Sequence, residues 1–569
     1  MAAAKPRIVV FAGPTATVLN SAPLVTSNQA RREHGLPLRM DRWGQPLPQD
    51  VLRPQRLAAP VTVYVEQFSA HPMERAAAHL YAAPDGYLDA AGAFHPERSG
   101  AADIPVYAVH LRPEDGVIPL PYMARQADGS AWEGDTAFPG APPESSRQPF
   151  YPDPARVFEE IDRLGLDETG TGNLLARQAD YDFLRVLPSG GFPAGLPAAE
   201  RTDTGHGDIA PERIWEDYFP YRPAHLGREP GRGTLAQITN RVQAALSGGD
   251  YAGGIWLEGS PSTEETTYWL NLLIDTTVPI VGCQAPDVPH GTLAATGDRH
   301  LVDAARYLAS GCWRDELGRD RVGAVMISAT QLFAARDAQK ADQRPGGVVA
   351  TGGHGGVVGS TAEPGAPRLT YLPLYRHTWT SDVRISQLPA EVRGVRGDGR
   401  GAAGPVTVRV KDESGGLLAE AIPAVGFHKH ARYLRGDSGT APDEEVAILA
   451  QIEQHLRKHP LAGFVVEGTA PHGKSSPQAS AALRRAVFLG MPVVRTGRGN
   501  TEGFVVAERV QLGIAAGNLT ATKARILLMA CLLRLGALPP AADPDRPTPD
   551  EVAATNLALA AYQEIFDTH

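Results

Sequence analysis

The sequence predicts an α/β protein built as two doubly wound parallel-sheet lobes, the N-terminal lobe carrying a partly β insertion. Three observations lead there. From about residue 205 onward, short apolar strands alternate with helices long enough to cross a sheet. The alternation breaks at a polar stretch, 377–415, and then resumes. Residues 35–200 differ in texture, being rich in Pro and Gly with few regular runs. The expected division is an N-terminal domain 1–376, a linker 377–415 and a C-terminal domain 416–569.

Each element has a local reason. Ile8-Val9-Val10-Phe11 reads as a strand followed by the polar loop Gly13-Pro14-Thr15-Ala16-Thr17. Inside the insertion, Val61–Val65 and Val106–Val109 are β-like. The run Gly254–Leu257 is a strand, 263–274 has helical spacing, Val278–Val281 is a strand, 299–309 is helical, and Gly323–Ile327 is again a strand. The Gly-rich patches at 352–359 and 397–401 open no phosphate-binding helix after a strand and read as linkers. Helices follow at 443–458, 478–489, 520–535 and 549–566, with strands at Gly463–Val466 and Pro492–Val494. Gly536 stops the third of these helices. Thr548, Pro549 and Glu551 form a capping box at the head of the last, and Ser262 with Glu265 fits the same pattern earlier.

Composition narrows the function. A chain of 569 residues can bury a full core, and 54 Lys+Arg against 64 Asp+Glu give a net charge of −10, which disfavours nucleic acid as a partner. With 60 Gly and 49 Pro the chain is loop-rich but below the level that marks low-complexity disorder. Cys283, Cys312 and Cys531 lie far apart, without the spacing of a disulfide framework or zinc ribbon, which implies a reducing compartment. Ile8–Phe11 is too short for a signal-peptide core, and the apolar run Ile526–Leu533 is closed by Arg534, so a soluble cytoplasmic protein without membrane contact is expected.

In open parallel sheets ligands bind beyond the carboxyl ends of strands, so the residues after each strand are the candidates. Thr15 follows the first strand, where it is either a nucleophile or a turn threonine bonding its own backbone. Ser260 sits in Glu258-Gly259-Ser260-Pro261-Ser262-Thr263-Glu264-Glu265, just ahead of a helix start whose amides favour negative charge. Lys340 closes Arg336-Asp337-Ala338-Gln339-Lys340, and a lysine beside such a hydroxyl acts as a base when burial depresses its pKa. His354, His428, His430 and His472 lack a carboxylate at metal-ligand spacing, so neither a metal nor a cofactor is expected.

Taken in order, these segments resemble the bacterial type L-asparaginase family. Its G-G-T loop is similar to Gly13-Pro14-Thr15, its H-G-T-D-T-x-E-E segment to Glu258–Glu265, and its R-D-x-x-K segment to Arg336–Lys340. Thr204-Gly205-His206-Gly207-Asp208 followed by Trp215 resembles the substrate loop, Tyr375-Arg376-His377-Thr378 the interdomain R-K-H-T, and Leu519–Arg525 the L-N-P-Q-K-A-R helix. The resemblance spans residues 5–34 and 203–569. It implies an amidohydrolase with Thr15, Ser260 and Lys340 as the catalytic set, and with His206, Gly207, Asp208, Gly259 and Pro261 around the substrate. It also implies a homodimer or homotetramer in which Gly468, His472 and Lys474 of one subunit complete the neighbour's site.

The departures are chemical. Pro261 stands where the family has an aspartate that binds the substrate's ammonium group, and His206 and Gly207 replace its serine and glutamine. The tyrosine that assists the first nucleophile is missing, since Thr17 to Arg32 contains none, and Thr15 and Ser260 both stay open as nucleophile. A site without the ammonium-binding carboxylate should reject a zwitterion, which points to a non-amino-acid amide, cyclic or aromatic ones included. A true asparaginase or glutaminase, and a non-catalytic small-molecule binder or assembly subunit, are the other readings. The insertion 35–200 is expected to wall the pocket, with Trp43, Tyr64, Phe68, Tyr122 and Trp132 as candidate lining or core.

Overall fold

Ile8 to Ala12 are buried on both faces of the strand they form, which is how a central strand of a parallel sheet reads. The structure is a computed structural model. It describes residues 5–14, 16, 61–66, 84–89, 94–111, 125–126, 151–152, 178–186, 190–192, 218–219, 230–284, 295–341, 347–351, 356–361, 365–397, 403–430, 445–469, 472–498 and 505–569. The chain divides into two units, the first made of 1–229, 257–259 and 284–305, the second of 230–256, 260–283 and 306–569.

In the first unit the described strands are β1 (Arg7–Ala12), β2 (Val61–Glu66), β3 (Gly86–Leu88), β4 (Phe94–His95), β5 (Ile104–Leu111), β6 (Arg125–Gln126), β7 (Tyr151–Pro152), β8 (Asp180–Arg185), β9 (Gly190–Phe192) and β10 (Tyr218–Phe219). The expected β character of the insertion is a five-stranded antiparallel sheet in the order β4-β3-β5-β2-β6. Other strands of the insertion belong elsewhere: β7 pairs with β10, while β8 runs parallel to β1, register Arg7 to Asp180 through Ala12 to Arg185, is fixed by an Arg7–Asp182 ion pair of 2.6 Å, and pairs antiparallel with β9.

The second unit holds β11 (Gly254–Glu258, its last two residues counted with the first unit), β12 (Ile280–Gln284), β13 (Val325–Ser328), β14 (Gln331–Ala334), β15 (Ala338–Lys340), β16 (Val348–Ala350), β17 (Val357–Ser360) and β18 (Arg368–Leu369). Then come β19 (Glu391–Gly397), β20 (Ala403–Arg409), β21 (Ala424–Lys429), β22 (Ala462–Gly468), β23 (Val493–Gly497) and β24 (Ile514–Ala515). The described helices are α1 (Thr234–Leu246), α2 (Ser262–Leu273), α3 (Ala295–Ser310, its residues up to Ala305 counted with the first unit), α4 (Val446–Lys458), α5 (Pro477–Phe488), α6 (Ala521–Leu535) and α7 (Pro549–Phe566). The strand order is β18-β17-β14-β13-β12-β11, with β12 and β13 parallel, and a second sheet, β21-β22-β23-β24, is parallel throughout. The fold is thus mixed α/β with parallel sheets.

The stretch 377–415 is not a bare linker. It carries two short 3-10 turns and the β19–β20 hairpin, and Val383, Val392, Val395, Val408 and Val410 enter the same core as Trp269 of α2, Phe464 of β22 and Leu528 of α6. Its polarity belongs to the outer face of a hairpin whose inner face alternates apolar. The patch 352–359 is likewise partly strand. Gly359 lies in β17, where a Cβ would come within 2.2 Å of the Arg368 carbonyl oxygen on β18.

Two helices carry the interior. In α2 every residue but Ser262 and Glu265 is buried, and it lies so close to β12 that a Cβ on Gly282 would sit 2.2 Å from Thr267 Oγ1. Helix α6 is buried on all sides from Ile526 to Leu533, which explains the apolar run in the sequence as a core helix. Among the described residues no helix is long and apolar enough to cross a membrane. The capping box of Thr548 and Glu551 on α7 is formed as expected.

Helix α6 stops at Gly536, whose φ of +75° is open to glycine, while its neighbours Arg393 O and Val392 Cβ leave no room for a methyl group. Gly536→Ala is expected to lower the free energy of unfolding by about 2 kcal/mol or more, read as a lower urea midpoint at unchanged slope.

Candidate active site

Ser260 leaves the carboxyl end of β11 and precedes α2 by two residues; it is half-buried, and Pro261 after it is exposed. Pro261 is the N-cap, and no side chain caps this helix. The capping box expected from Ser262 and Glu265 therefore does not form, because Ser262 is already inside the first turn. Glu265 instead pairs with Arg525 of α6 at 2.6 Å. Both acidic residues still lie in the first turn, where the helix dipole favours them.

Glu264 faces inward and is only 7% exposed. Its carboxylate accepts the backbone N–H of Lys340. This bond ties the helix behind Ser260 to β15, the strand that ends in Lys340 and pairs antiparallel with β16. Burial raises the Glu264 carboxyl above the usual carboxylate range, against the pull of the Lys523 cation and the Lys340 amide.

Lys523, in the first turn of α6, is 1% exposed. Its ammonium donates to the Glu264 carbonyl oxygen at 2.6 Å and to the Ala335 carbonyl oxygen at 2.8 Å, and lies 5.3 Å from the centre of the Tyr268 ring. Burial pushes it down to about 8, outweighing the attraction of Glu264, Glu265 and Asp337. In this pair desolvation wins on both partners, as it commonly does for buried charges. Sequence reading did not single out Lys523 or Glu264 as site residues. The available signal was their place in the segments Glu258–Glu265 and Leu519–Arg525, both already set beside the family's motifs.

Arg336 and Asp337, which precede β15, are buried as an ion pair at 2.9 Å. The Arg336 guanidinium also donates to the His569 main-chain oxygen at 2.6 Å and to Asn518 Oδ1 at 2.8 Å, and covers the Tyr375 ring. These residues of the R-D-x-x-K segment therefore anchor it, leaving Lys340 as its partly exposed end.

Thr15, His206, Gly207 and Asp208 lie outside the described residues, as do Trp43, Phe68, Tyr122, Trp132, His354 and the side chain of Tyr64. Of the loop around Thr15, Gly13 donates its N–H to the Leu257 carbonyl and Ala16 turns back to Gly13. The structure thus brings the Ser260 turn and the Lys340 strand together through Glu264. Gly468, His472 and Lys474 form a tight turn at the end of β22, closed by the Thr469–Lys474 bridge. Among the described residues no group of three His, Cys, Asp or Glu could hold a metal ion. Cys283 and Cys531 are buried free thiols and Cys312 is a partly exposed one.

A cavity of about 480 Å³ lies elsewhere in the second unit, lined among others by Asp320, Arg376, His377, Trp379, Asp382 and His569. The His377 and His569 rings stack in its wall, centroids 4.1 Å apart and planes 8° from parallel. Burial holds both neutral. It pushes His569 down to about 4, and takes His377 well below its ordinary 6.5 with the facing imidazole and Arg336 adding to the effect.

No family model matches the sequence, and no curated protein matches it significantly. Among solved structures, the fold is similar to that of a protein described as a probable cytoplasmic L-asparaginase from Campylobacter jejuni. The identity is 17% and the TM-score 0.43, over 69% of this chain and 88% of that one.

The histidine stack makes a testable statement about acid stability. Both folded-state pKa values lie below the unfolded 6.5, so the stability the pair contributes is complete above that value and is lost as pH falls through about 4. Buried Asp320, raised by burial to about 7, acts oppositely, its contribution complete below 3.8 and lost as pH rises through 7. A difference measurement separates them: the stability gap between wild type and His377→Gln, from urea unfolding, should narrow between pH 7 and pH 4. A gap constant with pH would contradict it.

Proposed function

We propose that the protein is an asparaginase-like amidohydrolase that cleaves the carbon–nitrogen bond of a non-zwitterionic amide, linear, cyclic or aromatic. The observation that carries this reading is the tie between Ser260 and Lys340. The order of three motifs along the sequence gives both residues a catalytic meaning, and one carboxylate, Glu264, joins their segments.

The reaction follows from the groups. A hydroxyl, Thr15 or Ser260, attacks the amide carbon while its proton passes to a base, the role assigned to Lys340. The helix start behind Ser260 favours the negative charge that builds on the carbonyl oxygen. The carbon–nitrogen bond breaks as the nitrogen takes a proton and leaves as ammonia or amine. Water then hydrolyses the acyl ester, releasing the acid and restoring the hydroxyl. No cofactor enters. Pro261 has neither charge nor N–H to offer an ammonium group, which argues for a substrate other than L-asparagine. His206, Gly207, Asp208 and Gly259 are proposed to line the substrate cleft. A homodimer or homotetramer in the cytoplasm completes the proposal, with the turn of Gly468, His472 and Lys474 reaching the neighbour's site.

The test is a panel of linear amides, lactams and cyclic imides, followed by ammonia, amine and acid formation. Wild type is expected to turn over at least one class, and Thr15→Ala, Ser260→Ala and Lys340→Ala each to lower kcat on the order of 1000-fold. Steady ammonia release from L-asparagine would overturn the substrate assignment. Ligand binding left unchanged by Thr15→Ala, with no turnover by any form, would make the protein a binder.

A further inference from the structure

The geometry points to Lys523 as a positioning residue for the proposed reaction: its buried ammonium sets the distance between the turn that carries Ser260 and the strand that carries Lys340. This rests on the amidohydrolase reading for its meaning, but not for its structural content.

The ammonium is shared by two main-chain oxygens from segments remote in sequence, Glu264 in the first turn of α2 and Ala335 just before the Arg336–Lys340 segment. Both bond to Lys523. Further along, the Glu264 side chain takes the Lys340 amide, and the Glu264 amide is itself held by the Pro261 carbonyl at 3.2 Å. A closed path therefore runs from Ser260–Pro261 through Glu264 to Lys340, and back through Ala335 to Lys523. Helix α6 supplies the fixed point. Thr520 caps it through the Lys523 amide, and the helix beyond is buried in the largest described core. Arg525, two residues on, reaches Glu265 and fastens the same helix turn from outside.

A buried charge with no solvent contact is a costly way to join two loops when an apolar side chain would fill the space. What the ammonium adds is direction, since its donors fix two acceptors in space within hydrogen-bond tolerance. Misplacing catalytic groups by about 1 Å can cost on the order of 100-fold in rate without disturbing the fold.

The experiment compares full-length Lys523→Met with Leu559→Ala, a core truncation on α7 whose side chain makes none of the bonds of the path, and with wild type. Two readouts are taken: hydrogen exchange of peptides covering 260–265 and 335–340, and kcat and KM on whichever amide of the panel wild type turns over. Positioning by Lys523 predicts faster exchange in both peptides in Lys523→Met alone, and a kcat lower by about 100-fold with KM within about 3-fold, while Leu559→Ala keeps near wild-type turnover despite lower stability. If the two variants differ from wild type in the same way, or if exchange in the two peptides is unchanged in Lys523→Met, the proposal is overturned. Should wild type turn over no amide, the functional reading fails, while the exchange data still decide whether Lys523 holds the two segments. If Lys523→Met does not fold, Lys523→Gln, which keeps a donor but shortens its reach, is judged by the same two readouts.

Discussion

One buried ammonium group, that of Lys523, is the constraint on which the candidate site depends. It stands where the first turn of α2, the approach to β15 and the first turn of α6 meet, and it donates to a main-chain oxygen of each of the first two, those of Glu264 and Ala335. The rest of the local architecture can be read as support for it. The Arg336–Asp337 pair locks the segment on one side, Arg525 and Glu265 lock the helix on the other, and the apolar body of α6 holds the lysine's backbone in place. Electrostatics alone would not keep this arrangement, because burial disfavours the charge on both Lys523 and Glu264; the packing of α2 and α6 forces the groups together.

The two large helices also decide how the second unit is organised. Residues that the sequence divides between an N-terminal lobe, a linker and a C-terminal lobe share one continuous core: Trp269 from the first, Val395 from the second, Phe464 and Leu528 from the third. Apolar area removed from water is non-directional, so nothing in a polar stretch such as 377–415 announces that its alternate residues will face inward against a distant helix.

Elements whose periodicity is local were legible in the sequence. Helix α7 begins and ends where Thr548 and Gly-free apolar spacing put it, and the strands β11 and β22 sit where short apolar runs lie between turn residues. The misreading at Ser262 has a physical origin: the S-x-x-E pattern states which bonds are available, while the cap position fell to Pro261, which leaves Ser262 as the first helical residue. The pairing of β8 with β1 was not legible for a related reason. A parallel strand buried in a sheet has no pattern of its own to distinguish it within a Pro-rich and Gly-rich region. For the candidate site, residue types and their order singled out Ser260 and Lys340, while Glu264 and Lys523, though they fall within the compared segments Glu258–Glu265 and Leu519–Arg525, carry no chemistry that local sequence reveals: their bonds run to main-chain groups of segments remote in the chain.

Under the proposed function, the near-complete enclosure of α2 has a bearing on how such a protein could change its substrate. Ten neighbouring side chains, polar threonines included, are committed to contacts on every face, so drift along the body of that helix is closed off by packing. Its two residues turned outward, together with the proline ahead of them, are the only part of it that evolution or an engineer is free to rewrite. Selectivity in this scaffold should therefore be altered at the helix tip, where a new charge or donor could be introduced without touching the beam that carries it.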